Sequence, residues 1–584
     1  MNMATIDWVI IIAYFLIALT IGIWASKKAG SDTKSFFLAG RDMPWWLLGI
    51  SMVATTFSTD TPNLVTDLVR QKGVSGNWGW WAFLLTGMLT VFIYAKLWRR
   101  SNVLTDIEFY ELRYSGKAAA FLRGFRALYL GLIFNVLVMG TVSLAAVKFG
   151  EIILGWKGWQ TLLIACSITL IYSTLGGLRA VIITDFVQFI LAMIGSILAM
   201  FYIINLPQIG GIKNLTLHEN VIDSLSLVPD LSDPSVWVPV MLVPLAVQWW
   251  ASYYPGAEPG GGGYIAQRMF SAKDEKNAIG ATLLFNIAHY ALRPWPWIII
   301  ALSSLIIFPE LSDIQRAFPD LPANKLGHDV AYPAMLTLLP SGLLGLVAAS
   351  LIAAFMSTMS TQLNLGASYL VNDFYKRFIN PNASESQLVA MGRIFTVISI
   401  VLGAGLGLML TSASQAFDLL LMIGAGTGLI YLLRWFWWRI NAYTEIVAMI
   451  SSLIIAYYFN FYSHNLESWQ EIIIGALLTT ATWIIATFIT PPDDEKTLKN
   501  FVKKVNPGGP GWKNYSSNHA GEQWSVPIGL LCMLCGTTSV YGVLLGVGSV
   551  IYGHYQTAII LIGISIISSF VLFKAWFKHS TNTI

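Results

Sequence analysis

Charge is what this chain has least of. Lys, Arg, Asp and Glu make up 11% of its 584 residues, against roughly 25% in soluble globular domains. The deficit runs along the whole length, which excludes a soluble enzyme and a disordered chain. A formal net charge of +4 leaves no broad basic surface, so nucleic acid is excluded as a partner. Cysteine is equally scarce. Cys166, Cys532 and Cys535 cannot make a disulfide scaffold, and Cys532 and Cys535 sit in an apolar run, where they are expected to be small packing residues. Histidine is the third shortage. His218, His289, His328, His464, His519, His554 and His579 are scattered, mostly in loops. His289, inside an apolar run, has no acidic or cysteine neighbour. A membrane-embedded transferase needs a His or acid cluster at an interface, so that reading is weak. A transporter-like sensor wants an appended signalling domain, and none is expected here.

Apolar sequence is what the chain has in excess. Hydrophobic residues make up 55% and the mean hydropathy is +0.63. A membrane helix needs about 20 mostly apolar residues. Fifteen such runs begin near residues 7, 44, 78, 124, 158, 180, 236, 280, 342, 391, 414, 441, 469, 526 and 556. Only the turn Leu175-Gly176-Gly177-Leu178-Arg179 separates the runs from 158 and 180. The first run has no small-residue cleavage site and ends at Lys27-Lys28, so it reads as a retained helix. The chain is therefore expected to be an all-α, multi-pass protein of a cell membrane, plasma or bacterial inner. Basic residues set its orientation. With the N-terminus outside, only Arg70, Lys72, Lys148, Lys157, Lys213, Arg316 and Lys325 fall on outward loops. Lys96 and Arg293 lie within spans, and every other Lys and Arg is inward.

The expected organisation is a first helix and inward loop (1–43), a five-helix unit (44–206) and an outward loop (207–235). A second five-helix unit (236–440), two further helices (441–489), a solvated cytoplasmic linker (490–525) and two last helices (526–584) follow. Tryptophan and tyrosine at span ends, such as Trp45-Trp46 and Trp80-Trp81, fit the interfacial belt.

Polar residues deep in a span are costly and mark function. The second run carries Thr55, Thr56, Ser58, Thr59, Asp60, Thr61 and Asn63 around Phe57 and Pro62 at its centre. A proline lacking a backbone donor and hydroxyls competing for backbone partners predict a helix broken at the midplane. Its freed carbonyls would face a protein-lined cavity. The run from 236 leads into Tyr253-Tyr254-Pro255-Gly256, Glu258-Pro259 and Gly260 to Gly263. Interrupted spans at matching positions of two halves point to inverted-repeat transporters with a midplane site. In the run from 342, Ala354, Ser357, Ser360, Thr361 and Asn364 share one helical face. That stripe suits close helix packing or a small hard cation that prefers oxygen. The possible partners for such a cation are the freed carbonyls and the lone acid Asp185.

At these residues the sequence resembles the sodium:solute symporter family, which includes sodium/sugar, sodium/proline and sodium/sialic acid symporters. The words that carry the resemblance are Phe37-Leu38-Ala39-Gly40-Arg41; Gly176-Gly177-Leu178-Arg179-Ala180-Val181 with Thr184-Asp185 and Gln188; Gly263-Tyr264-Ile265-Ala266-Gln267-Arg268; Ser357-Thr358 through Leu363-Asn364; Asp373-Phe374-Tyr375-Lys376; and Arg434-Trp435 with Trp438-Arg439 and Asn441. They fall in family order over about residues 8–460.

The resemblance implies a LeuT-type core of two inverted five-helix repeats, N-terminus out, working as a sodium-coupled symporter and not an enzyme. It implies a sodium site made by the carbonyls of Ala54, Phe57 and Ala354 and the hydroxyls of Ser357 and Thr358. A second site of the kind found in sialic acid symporters would use Asp185, Ser357, Ser360 and Thr361. For the solute it implies Thr56, Asp60 and Thr61, the gate residue Tyr254, and Arg293, which falls where sugar symporters carry a pocket lysine. An Asp60–Arg293 pair would hold a sugar or sugar derivative. Were Arg293 free of Asp60, its planar fork would suit a carboxylate, such as sialic acid or another organic anion; an amino acid is the remaining alternative. The expected partners are sodium ions, the solute and the bilayer, with no obligate protein partner. The chain departs from the family at the threonine in place of a pocket amide, at Pro62, and in the glycine-rich stretch after Tyr254.

Overall fold

The computed structural model describes residues 3–29, 32–251, 258–410, 427–462, 464–515 and 524–581. Tyr254, and most of the run expected from 414, lie outside them. Among the described residues the regular structure is all helical, with one isolated bridge between Met43 and Ala272. Twelve of their helices are long and apolar enough to cross a membrane.

With the run from 414 outside the described residues, two sequence features explain how the other fourteen runs relate to twelve helices. Gly158–Ile204 is one helix of 47 residues, which at 1.5 Å per residue would run about 70 Å, over twice the hydrocarbon thickness. It is bent in two at Gly177, whose φ of 53° and ψ of −157° are not helical. A Cβ there would lie 2.6 Å from the Phe36 carbonyl oxygen, so only glycine lets the bend approach that backbone. The turn expected at Leu175–Arg179 is thus present. The second run survives only as two short helices, Trp45–Thr55 and Asp60–Lys72.

Leu343–Ser368, the helix that carries the hydroxyl stripe, lies at the centre of the molecule and is buried along nearly all its length. It packs against the bent helix, against Thr5–Ala29 and against Trp45–Thr55. Its hydroxyls therefore face protein on every side, where each must find a partner.

The stretch 490–525 is expected to be a solvated linker, but part of its described residues is docked on the protein. Glu495–Val505 is an amphipathic helix with Leu498, Phe501 and Val505 buried. Phe501 packs on Phe109, Trp435 and Trp512. Its lysines point outward, so its charge content disguised a docked element. Cys532 is buried, Cys535 is partly so, and both are free thiols.

Candidate functional site

The site grows out of the break between Trp45–Thr55 and Asp60–Lys72. A helix end leaves carbonyls without partners, and here side chains take up most of them. Thr56 Oγ1 donates to the Val53 carbonyl at 2.8 Å. Phe57 N–H donates to the Ala54 carbonyl at 3.2 Å. Thr358 Oγ1 donates to the Thr55 carbonyl at 3.0 Å. Asp60 and Thr61 open the second half, and an acid in a first turn is favoured by the helix dipole. Pro62 also falls in that first turn, where its missing N–H would have had no helical partner. The proline thus starts the second half; the polar gap Thr56–Thr59 makes the break. The Thr59 hydroxyl in that gap is buried with no hydrogen-bond partner.

Thr358 of the central helix thereby meets the break directly, beside Ala54, Phe57 and Ala354, all buried. Ser357 turns to the other side, its hydroxyl donating to Asp185 Oδ1 at 2.6 Å. A hydroxyl whose proton is held by a carboxylate keeps both lone pairs for a cation. In kind, these neutral carbonyl and hydroxyl oxygens are the donors a sodium ion takes, with the Ser357 hydroxyl held toward Asp185.

The second set is brought together differently from the expectation. Asp185 also accepts from Ser51 Oγ at 2.5 Å and lies 3.4 Å from Arg268. Arg268 donates to Thr361 Oγ1 at 2.7 Å and to Ser51 Oγ at 3.1 Å. Ser360 bonds back to the Ser357 carbonyl at 3.0 Å. A guanidinium thus occupies the cationic position among Asp185, Ser51, Thr55 and Thr361. Sequence reasoning missed it by placing Arg268 among inward loop charges, whereas its side chain is fully buried.

A cavity of about 780 Å³ adjoins the break. Thr56, Asp60 and Thr61 line it with Asn63, Thr86, Thr90, Glu258, Tyr264, Phe285, Asn286, His289, Tyr290, Thr358 and Gln362. Its lining also takes in Lys148, Asn324 to Gly327 and Asp329 and, from the glycine stretch, Gly261 and Gly262. Arg293 is not on its wall. Its guanidinium bonds the Val53 carbonyl and Thr56 Oγ1, both at 3.3 Å, and lies over the Trp297 ring at 5.2 Å. No Asp60–Arg293 ion pair forms, because the guanidinium is drawn to helix-end carbonyls and aromatic faces behind the wall. His289 takes the wall position, with Nδ1 3.2 Å from Thr56 Oγ1. Its place inside an apolar span was the only hint the sequence held. Tyr254 is outside the described residues.

With this geometry in view, likeness to known proteins defines the class. Residues 36–452 match the sodium:solute symporter family, and the chain belongs to that family: it is a multi-pass, sodium-coupled transporter, not an enzyme. Its relatives include the sodium/glucose cotransporter of Vibrio parahaemolyticus, 25% identical over 85% of this chain and 92% of that protein. The human sodium/myo-inositol cotransporter 2 is 27% identical over 77% and 69%, and the sodium/mannose cotransporter of Bos taurus 26% over 68% of each. Among solved structures, a Na+-coupled sialic acid symporter in its substrate-bound outward-open state matches with a TM-score of 0.67. It is 19% identical and covers 84% of this chain and 99% of that one. The shared fold is the LeuT-like one expected from the sequence.

Proposed function

We propose that the chain imports a polyhydroxylated solute, a sugar or cyclic polyol, together with one sodium ion. The relatives named for glucose, mannose and myo-inositol support the solute class. So does a cavity wall of hydroxyls, amides and four carboxylates beside aromatic rings, since a polyol needs donors and acceptors along an apolar face. A carboxylate solute is the weaker reading, because the fork of Arg293 is behind the wall. The positive-inside count supports an N-terminus outside, with segment 309–331 on the outer side.

The sodium site is Ala54, Phe57, Ala354, Ser357 and Thr358, and the observation that carries it is the Thr358–Thr55 junction between central helix and break. Sodium is cargo here; when bound it would gather carbonyl and hydroxyl oxygens of the broken helix and the central one, adding to the Thr358–Thr55 hydrogen bond that already joins them. Asp185 is a partner of Ser357 and Arg268, so we assign no second sodium to Asp185, Ser360 and Thr361. Replacing Ser357 or Thr358 with alanine removes one of about five oxygens. Sodium activation of uptake in proteoliposomes should then need at least about tenfold more sodium, roughly 1.4 kcal/mol. An unchanged sodium curve in both variants refutes the site.

A further inference from the structure

Arg293 touches both halves of the site without lining the cavity. Its NH1 donates to the Val53 carbonyl and to Thr56 Oγ1, and its NH2 lies 3.5 Å from His289 Nε2. A guanidinium only donates, so Nε2 is the acceptor and the imidazole proton sits on Nδ1, facing Thr56 Oγ1. The Thr56 proton goes to the Val53 carbonyl, which leaves its lone pairs to receive both donors. The guanidinium also covers the rings of Trp297 and Phe57, themselves stacked at 5.1 Å. One buried cation, 1% exposed, therefore grips the backbone and ring on either side of Ala54 and, through the same fork, the imidazole on the cavity wall. Its charge also suits the carbonyl end of Trp45–Thr55.

We propose that Arg293 is a positioning residue that couples sodium to solute: the sodium-bound shape of the Val53–Phe57 backbone sets the guanidinium, and the guanidinium sets His289 and Thr56 against the solute. This rests on the sodium site assigned above. Hydrogen bonds are lost within a few tenths of an ångström of stretch, so a small shift at the break is felt at the wall. Coupling of this kind is reciprocal: solute tightens sodium by the factor that sodium tightens solute.

The test uses the full chain in detergent. Thermal stabilisation is titrated with sodium chloride against choline chloride, first alone and then with glucose, mannose or myo-inositol. Arg293→Lys keeps the charge and loses the fork; Arg293→Met keeps the volume and loses the charge. In whichever variant folds, half-maximal stabilisation by sodium alone should need about tenfold more sodium, the scale of one lost charge-assisted hydrogen bond. The sodium dependence of solute binding should flatten with it. A merely structural role would lower the unfolding midpoint and leave the sodium titration in place. The inference is overturned if an Arg293 variant titrates like the parent while Thr358→Ala does not. If Thr358→Ala is also unchanged, the sodium site itself has failed, and the coupling falls with it.

Discussion

Asp185 shows what one buried residue can and cannot announce. Its cost in a membrane span was legible from the sequence, and the need for a cation or donor followed. Which cation it has was not legible, because a basic residue in a short helix after a glycine run reads the same whether it is solvated or buried. The structure places Arg268 there, with both side chains fully buried. Removing one member of such a pair strands the other, a loss of about 3–5 kcal/mol, whereas replacing both with groups of similar volume is far milder. Asp185→Asn should therefore lower the unfolding midpoint more than the double variant Asp185→Asn with Arg268→Met. Thermal unfolding in the same detergent settles it, and a double variant no more stable than the single one would show that the pair is not the unit. The same arrangement predicts one positive charge per neutral solute in flux measurements.

Among elements, the broken helix was the most readable, because seven polar side chains around a proline cannot form a lipid-facing turn. The place of Pro62 in the second half's first turn became evident only with the backbone. The four-glycine stretch was visible as a departure but its purpose was not, since its neighbours come from distant segments. Glu258 is buried and pairs with Arg126 at 2.6 Å. Trp98 Nε1 donates to the Gly260 carbonyl at 2.8 Å, and Gly263 N–H donates to Asp106 at 2.9 Å. A Cβ on Gly262 would lie 2.0 Å from Glu258 Oε2. Oε2 itself is buried with no hydrogen-bond partner, but the other oxygen of the carboxylate, Oε1, is tied to Arg126, so the group cannot turn freely out of the way. Gly262→Ala should accordingly cost about 1–3 kcal/mol, the range for overpacking a filled interior. Shortening the acid with Glu258→Ala in the same chain should recover part of the space while leaving Arg126 less well paired. Equal unfolding midpoints for Gly262→Ala and the parent would mean that the turn shifts freely and the glycine is incidental.

Across the whole molecule, two stretches that line the cavity, the glycine turn and residues 324–329, are held by different chemistry. At the glycine turn it is a buried ion pair and backbone bonds. Residues 324–329 are tied down by charge pairs: buried Lys148 to Asp329 at 2.9 Å and Lys325 to Glu151 at 2.7 Å. Beside them Arg70 Nε donates to His328 Nδ1 at 3.2 Å and its NH2 donates to the Phe308 carbonyl at 2.8 Å. Partial burial, and then the Arg70 cation, hold the His328 pKa below its ordinary 6.5. Asp67, Asp329 and Glu310 pull it the other way without prevailing. The folded state therefore binds this proton more weakly than the unfolded chain does. The stability contributed by neutral His328 is complete above about 6.5 and is lost as pH falls through the lower folded value. Protonation removes the acceptor for Arg70 and sets two cations side by side, so residues 324–329 should loosen first in acid. His328→Gln keeps an acceptor oxygen and cannot titrate. The unfolding midpoint of the parent should fall relative to His328→Gln as pH is lowered from 7.5 to 5. A constant difference across that range would show that His328 does not bear on this stretch, and would leave the two lysine pairs to hold it.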